Sequence, residues 1–474
     1  MRNEVFKQFN KFAQSNQSLI QKALTSATGV GEALIPENLE QIITDTLVRL
    51  SPELAMVEKK KISGSTHEYN QLVERPSRGG AMGESSITPV TNSKTSRQTV
   101  DLKVIKRKGK VTNFLADSSE EYIDTAAYET ENHIQAHVLD LIYYMIWGNK
   151  DANTYEPDGL EQFISTNRVA FSTAAAGAVP TSLAFLDDMI DKSNRKGGAR
   201  HRRAFIMSPE MLSKISSLLT NVRLNQSLTG SGLTQVEVNG GWRFNAYRDI
   251  PIIESTSVAP IETMAAANVT LSGVATGGGL SDDEYFVFVV PVTYEGEQAG
   301  EEKSVTLSGG GAAQRIKIDL TAVHQTNGVD SALAYKIYVG QTTGGENCTL
   351  KKVVSAFTFD SEGSPDGDNG VDASIYIDSL TAESSVPSHM TSDIPLEASG
   401  GYYAQSIVLW DLDPIQGLGK LPFTNKPGDR FEGLVVTKPL AETDDFINFL
   451  VKSYTALCPS YEATSYWLRN IRVA

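Results

Sequence analysis

Arg75-Pro-Ser-Arg-Gly-Gly-Ala-Met-Gly-Glu-Ser-Ser86 leads into Gln98-Thr-Val-Asp-Leu-Lys-Val-Ile-Lys-Arg-Lys-Gly-Lys-Val-Thr112, and that segment into an amphipathic stretch reaching Trp147. The first piece is a Gly- and Ser-rich polar loop. It is too long for a simple turn, and loops of this size inside a domain usually serve a function or a contact elsewhere. The second alternates apolar and polar residues, the pattern of a strand. A strand pair carrying a polar tip away from its own domain is suited to lie on a neighbouring subunit, which points to assembly rather than catalysis.

The third piece predicts one helix over 118–147. Ser118 and Glu121 have capping-box spacing, and Glu120 and Glu121 suit the positive end of the helix dipole. Ile123, Ala127, Ile134, Val138, Leu141, Ile142 and Met145 make an apolar stripe that continues to Trp147, and Gly148 ends it. Such a helix is roughly 45 Å long at 1.5 Å per residue, enough for the spine of an elongated subunit.

At 474 residues the chain exceeds the size at which one core stops growing, so two or three domains are expected. No apolar run of 18 or more residues exists, so no membrane span is predicted. Met1-Arg-Asn-Glu-Val-Phe-Lys lacks the apolar core and cleavage site of a signal peptide. Cys348 and Cys458 lie far apart with no CxxC pair, which argues against a disulfide framework or zinc site and fits a reducing interior.

The net charge of −15 is unevenly spread. Residues 261–393 hold 19 Asp and Glu against 6 Lys and Arg, a balance of −13, and the rest of the chain carries only −2. Such asymmetry marks a boundary. The same segment carries short alternating runs, Val269-Thr-Leu, Tyr285-Phe-Val-Phe-Val-Val, Ser304-Val-Thr-Leu, Arg315-Ile-Lys-Ile-Asp-Leu and Tyr335-Lys-Ile-Tyr-Val, separated by Gly, Asn and Asp turns. Strands at this spacing predict a β-sandwich.

Its flanks read as mixed α/β. Ser182-Leu-Ala-Phe-Leu-Asp-Asp-Met-Ile predicts a helix capped by Thr181 or Ser182, Ala204-Phe-Ile-Met a short buried strand, and Ser208-Pro-Glu-Met-Leu a helix capped by Ser208. Ile250-Pro-Ile-Ile-Glu is a strand, and Tyr402-Tyr-Ala-Gln-Ser-Ile-Val-Leu-Trp resumes the mixed region, so the sandwich is inserted between two halves of one domain. At the other end, residues 1–30 form a basic arm. Phe6, Phe9 and Phe12 recur at helical spacing, a stripe that either docks on its own core or meets a partner, and Pro36 opens a helix running to about Arg49.

His133 and His137 stand four apart on the long helix, a spacing that can hold a metal, but residue 134 is Ile and no HExxH motif exists; ordinary surface or interface histidines are expected. Asp360, Glu362, Asp366, Asp368, Asn369 and Asp372 miss the calcium-loop register and read as a solvated acidic turn. Gly417-Leu-Gly-Lys reads as a turn, and no Walker loop, nucleophile elbow or dinucleotide fingerprint appears. Lys103-Val-Ile-Lys-Arg-Lys-Gly-Lys either contacts phosphates or meets acidic neighbours across a subunit contact, with the second favoured; Arg195-Lys-Gly-Gly-Ala-Arg-His-Arg-Arg lines a pore or is a solvated loop. No catalytic, cofactor-binding or metal-binding residue is assigned, no cofactor is expected, and the chain reads as a non-enzyme.

The order of elements resembles the major capsid proteins of tailed bacteriophages, the Hong Kong 97-type fold. The matching residues are Gly31-Glu-Ala-Leu-Ile-Pro; Gly83-Glu84 with Pro89; Lys110-Val-Thr-Asn-Phe-Leu-Ala-Asp-Ser; Trp147-Gly with Pro157-Asp-Gly-Leu; Phe205-Ile-Met-Ser-Pro; and Asp249-Ile-Pro-Ile-Ile-Glu-Ser. Their order and spacing extend over roughly three quarters of the chain. The insertion lies outside this likeness and resembles an immunoglobulin or fibronectin type III module.

The resemblance implies an α+β shell fold: an N-terminal arm at 1–55, a peripheral domain at 56–180 with an extended loop at 66–112 and spine helix at 118–147, an axial domain at 181–260 and 395–430, the inserted sandwich at 261–394, and a return to the peripheral domain at 431–474 with strands such as Gly433-Leu-Val-Val-Thr. It implies hexamers and pentamers closing into an icosahedral shell around double-stranded DNA that is contacted nonspecifically. A separate scaffolding protein, a portal and decoration proteins are the implied partners. Location would be the virion capsid, with assembly in the host bacterial cytoplasm. Some members crosslink subunits through a lysine–asparagine bond; Lys94 is the nearest lysine in kind, and a solvated or salt-bridged role is expected for it. The alternatives are a surface adhesin using the sandwich, and an encapsulin-type cargo compartment.

Overall fold

Period-two alternation along Lys103–Thr112 turns Ile105, Gly109 and Val111 inward and leaves Val104, Lys106, Lys108 and Lys110 exposed. This strand pairs antiparallel along its whole length with Phe446–Thr455, from Thr112 opposite Phe446 to Lys103 opposite Thr455. Val436–Pro439, Lys420–Phe423 and Glu58–Lys61 complete a five-stranded sheet. The long helix Thr125–Trp147 lies on its inward face, where Ile134 and Leu141 join Ile105, Val111, Phe449 and Val451 in one apolar cluster. The computed structural model describes residues 52–76, 81, 84, 90–119, 124–224, 234–238, 242–320, 332–356, 375–399, 401–424, 434–440 and 445–473, with backbone alone at 119, 219–224, 234–238 and 242–245. The predicted arm with its aromatic stripe, most of the loop tip and the acidic turn at 360–372 lie outside the described residues.

The helix differs from its prediction. Asn113–Ser119 is a separate short helix whose cap is Thr112: the Leu115 amide donates to Thr112 Oγ1 at 3.2 Å. Ser118 lies inside that helix, its hydroxyl donating to the Leu115 carbonyl at 3.2 Å. The long helix starts at Thr125 and its 23 residues span roughly 35 Å.

The segment read as one strand over 98–112 also divides. Lys94–Asp101 pairs with Thr66–Glu74 in a two-stranded ribbon, and after Leu102 the chain enters the five-stranded sheet. Lys103–Thr112, assigned to the extended loop at 66–112, is therefore part of the folded body. Tyr69 and Gln71 fasten the base of the ribbon, donating to the carbonyls of Pro459 at 2.9 Å and Ser460 at 3.1 Å.

The second layer is an eight-stranded mixed sheet containing, in spatial order, Arg168–Ala170, Tyr466–Arg472, Tyr402–Asp411, Arg203–Met207, Ile250–Glu254, Trp242–Tyr247 and Thr234–Val238, with Ala398–Ser399 beside Tyr402. Arg203–Met207 is buried at every position, as a central strand covered on both faces must be. Phe205 and Met207 meet the helices Ala184–Arg195 and Pro209–Leu224, while Ala204 and Ile206 join the cluster that holds Trp147. The predicted Ser208 cap is present, its hydroxyl accepting from the Met211 amide at 3.1 Å. The Thr181 or Ser182 cap is not: Leu183 precedes the helix and makes no side-chain cap.

Two sequence boundaries move. Lys420–Phe423, assigned with 395–430, pairs parallel with Glu58–Lys61 in the five-stranded sheet. Tyr466–Arg472, assigned with the return at 431–474, sits between Arg168–Ala170 and Tyr402–Asp411 in the eight-stranded sheet. Strand partners separated by hundreds of residues leave no trace in local patterning.

Residues 269–377 form two further antiparallel sheets. Val269–Val274, Arg315–Leu320 and Ile375–Ile377 make one; Asp283–Thr293, Ala334–Gly340, Thr349–Ser355, Lys303–Leu307 and Gly296–Glu297 make the other. They face each other across a shared core that includes Val287, Val289, Ile316, Ile318, Ile337 and Ile377. The larger sheet is also buried on its second face, where Phe288, Val290, Tyr338 and Leu350 pack with Val386 and Met390.

Candidate functional site

Beneath that larger sheet the chain buries six charged side chains. Lys336 and Tyr338 come from the strand Ala334–Gly340, and Glu297 from the short strand Gly296–Glu297. Glu161 stands on the helical turn Leu160–Phe163 and Arg168 on the strand after it. Asp393 lies where the chain leaves the two-sheet segment, and Arg469 stands on the strand Tyr466–Arg472. Apart from Asp393, at 12 %, all these charged side chains are at most 4 % exposed.

They form a closed ring of alternating sign. Lys336 Nζ lies 2.6 Å from Glu161 Oε1 and 3.1 Å from Glu297 Oε2. Arg168 bridges Glu161 at 2.9 Å and Asp393 at 2.5 Å. Arg469 closes the circuit with Asp393 at 3.0 Å and Glu297 at 2.6 Å. Tyr338 adds its hydroxyl to Glu297 at 2.6 Å. Trp147 and Trp467 wall the ring, their indoles beneath Lys336 at 5.0 Å and Arg168 at 5.4 Å. Three cations balance three anions, so the cluster is neutral where isolated charges would each cost several kcal/mol.

The ring's electrostatics follow. Burial pushes the Glu297 carboxyl up, but Arg469 and Lys336 outweigh it and hold the group below its usual range. Burial likewise raises Asp393, and Arg168 and Arg469 bring it below its usual range. Burial lowers Arg469, yet Asp393 and Glu297 drive it well above an ordinary guanidinium. Carboxylates held ionised between permanent cations are poor proton carriers; the arrangement is chemically a clamp. It joins the two-sheet segment to the eight-stranded sheet, through Arg168 and Arg469, and to the helical turn Leu160–Phe163, through Glu161.

A second junction reinforces the first. Tyr294, in the turn after Asp283–Thr293, donates to Asp140 Oδ1 at 2.5 Å and accepts from Arg107 Nη2 at 2.6 Å. Arg107 Nη2 also donates to Asp140 Oδ1 at 2.7 Å, so strand, long helix and turn meet in one triad. Next to it Gly296 adopts φ +95°, and a Cβ there would lie 2.6 Å from the Ser257 carbonyl and 3.0 Å from the Trp147 ring. Only glycine allows so close an approach.

The residues weighed on sequence fall elsewhere. Both histidines face Phe446–Thr455: His133 is half-buried and edge-on to Phe449 at 5.1 Å, and His137 is fully buried with Nε2 2.9 Å from Ser453 Oγ. Burial lowers His137 to about 4. Lys94 pairs with Glu74 at 2.6 Å on the exposed ribbon. Gly417 lies in a turn against the Asp411 carboxylate, which His201 Nδ1 reaches at 2.6 Å. Arg202 donates to the Met56 carbonyl and Arg203 to Asn194 at 2.8 Å, so half of that basic run is tied into the fold. Cys348 and Cys458 are free and buried. Arg107, read with its run as meeting acidic neighbours across a subunit contact, instead pairs inward with Asp140 of its own chain. The ring was missed altogether. Its signal was a single charge inside each of two apolar runs, Tyr335-Lys336-Ile-Tyr and Trp467-Leu-Arg469.

Residues 10–271, just over half of the chain, match the family model of the SU10 major capsid protein. The chain belongs to the SU10 major capsid protein family. It is a structural protein of the phage capsid, and its place is the virion shell built from many copies of itself.

Solved structures with a similar course include the capsid of a native GTA particle, at 9 % identity and TM-score 0.46, covering 95 % of this chain and 100 % of that one. The cyanophage A-1(L) capsid is 11 % identical with TM-score 0.45 over 94 % of this chain and 99 % of that one. The holo-SrpI encapsulin complex from Synechococcus elongatus is 10 % identical with TM-score 0.42, covering 95 % of this chain and 98 % of that one. No curated protein matches the sequence.

Proposed function

We propose that this SU10-family capsid protein assembles as hexamers and pentamers into a closed icosahedral shell around double-stranded DNA. The observation that carries the reading is the ribbon Thr66–Glu74 with Lys94–Asp101. It extends from a folded body, yet Leu72, Val73 and Val90 are 49 %, 64 % and 90 % exposed on it and at its outer end. A two-stranded ribbon is marginal in water by itself, and apolar residues at its outer end gain burial when it lies across a second copy. Many such contacts, each modest, sum over a closed shell.

In this reading the five-stranded sheet with the long helix is the peripheral domain and the eight-stranded sheet the axial domain. The two sheets of 269–377 are an inserted sandwich of immunoglobulin or fibronectin type, carried on the outer surface as an acidic decoration and held by the ion ring. A separate scaffolding protein guides assembly in the bacterial cytoplasm, and a portal and decoration proteins complete the particle. Electron microscopy of the purified chain, with and without candidate scaffolds, is the test. Closed shells, or rings of five and six with outward knobs, support the reading. A dispersed monomer in every condition overturns it, and knobs on the inner wall overturn the placement of the insertion.

A further inference from the structure

The outward face of the five-stranded sheet carries five lysines. Lys106, Lys108 and Lys110 alternate along one strand, Lys452 stands directly opposite Lys106, and Lys438 lies opposite Leu450, itself opposite Lys108. Two contacts fix this face: Lys110 Nζ sits 4.9 Å over the Phe446 ring, and Lys452 Nζ 4.7 Å over the Tyr454 ring. The paired positions of this face include no Asp or Glu.

Elsewhere on the molecule exposed cations find partners, as Lys94 does with Glu74, Arg97 with Glu68 and Arg248 with Asp187. Among the described residues none of the five lysines pairs with a carboxylate. Two lysines directly across an antiparallel pair repel each other and destabilise the sheet. A chain of net charge −15 keeps them there nonetheless. The opposite face of the same sheet meets the long helix and, through Arg107, the Tyr294 turn of the segment whose balance is −13. Acid and base are thus sorted to opposite sides of one sheet.

We propose that this lysine face binds the phosphodiester backbone of double-stranded DNA without regard to sequence; the inference rests on the shell reading and names the surface that meets the packaged DNA. Alternate residues of a strand repeat at about 6.8 Å, which is the axial rise of two phosphates on one strand of a duplex. Lysine supplies compact charges on flexible stems, suited to contacts that need no fixed register.

The test compares the full chain with Lys106→Gln/Lys108→Gln/Lys110→Gln, whose positions are exposed. Binding of two fluorescent 30-base-pair duplexes of unrelated sequence is followed by anisotropy across salt concentrations, with melting temperature as the folding control. The expected result is equal affinity for both duplexes and a salt slope shallower by about 0.9 for each lysine removed. An unchanged slope in the folded variant overturns the proposal. Electron microscopy of the same samples separates this from the shell reading: empty shells from the variant with a reduced slope support it. Loss of shells with DNA binding unchanged would assign the face to an acidic surface of another copy and overturn it. Failure of the unaltered chain to form any shell strikes the shell reading instead.

Discussion

Arg469 occupies the middle of Tyr466-Trp-Leu-Arg-Asn-Ile-Arg472, where its side chain is 2 % exposed between Glu297 and Asp393. Removing one partner from a buried ion cluster leaves the others charged and desolvated. Arg469→Ala is therefore expected to lower the unfolding free energy by about 3–5 kcal/mol, read from the midpoint of chemical denaturation. Adding Glu297→Gln should recover part of that loss, and simple additivity of the two changes would show that the ring does not act as a unit. Glu53 and Glu156 behave in the opposite sense. Both are buried, and burial, against hydrogen bonds from Ser255 and from Asn153, pushes each carboxyl to about 7. A raised folded value means that their contribution is complete below the ordinary 4.5 and is lost as pH rises through about 7. Glu53→Gln/Glu156→Gln should thus flatten the fall in stability between pH 5 and 8, by on the order of 3 kcal/mol per group. Denaturation curves at the two pH values decide it; an equal fall in variant and parent would refute the assignment. The depressed carboxyls of Glu297 and Asp393 act below this window, withdrawing stability only as pH drops through their folded values.

At the scale of elements, Gly109 shows how the long helix and the sheet are fitted. It stands directly opposite Phe449, and a Cβ at 109 would lie 2.1–2.8 Å from the Phe449 ring. The missing side chain is the space that the ring fills. Gly109→Val is expected to destabilise by about 1–3 kcal/mol through overpacking, whereas Lys108→Thr, one residue away on the exposed face, should stay within about 0.5 kcal/mol. Equal melting temperatures for the two would contradict this packing. The strands of this sheet and of the two-sheet segment were legible because alternation is a local signal: Tyr335-Lys-Ile-Tyr-Val and Arg315-Ile-Lys-Ile-Asp-Leu lie within observed strands. Thr112 as a helix cap was overlooked because Ser118 and Glu121 matched a stronger motif five residues beyond the helix start at Asn113. The change of partner at Leu102 was invisible, since alternation marks an extended chain and says nothing of which sheet receives it. The ring escaped for a related reason. Glu161, Lys336, Asp393 and Arg469 are brought together only by the tertiary fold: the apolar runs around Lys336 and Arg469 mark each as buried, but nothing local names the partners.

For the whole molecule, the decisive contrast lies between the fastened base and the bare outer part of the ribbon. Tyr69 and Gln71 hold the base to the Pro459 and Ser460 carbonyls, while Leu72 and Val73 beyond them are about half and two-thirds exposed. Within one subunit, residues so exposed contribute little to stability, and replacing them by serine should shift the melting temperature hardly at all. Across subunits they count once per copy, so a small loss at each contact accumulates over the closed shell. Leu72→Ser/Val73→Ser/Val90→Ser is accordingly expected to leave circular dichroism and thermal unfolding unchanged while sedimentation and electron microscopy show subunits or open rings in place of closed shells. Shells of normal size from this variant would mean that the ribbon's apolar residues are not an assembly contact. Early unfolding of the unassembled variant would place them in the subunit's own stability instead. The two readouts separate because folding is decided in the cores around Trp147 and Phe205, far in sequence from the ribbon's outer end, whereas closure depends on what each copy presents to the next.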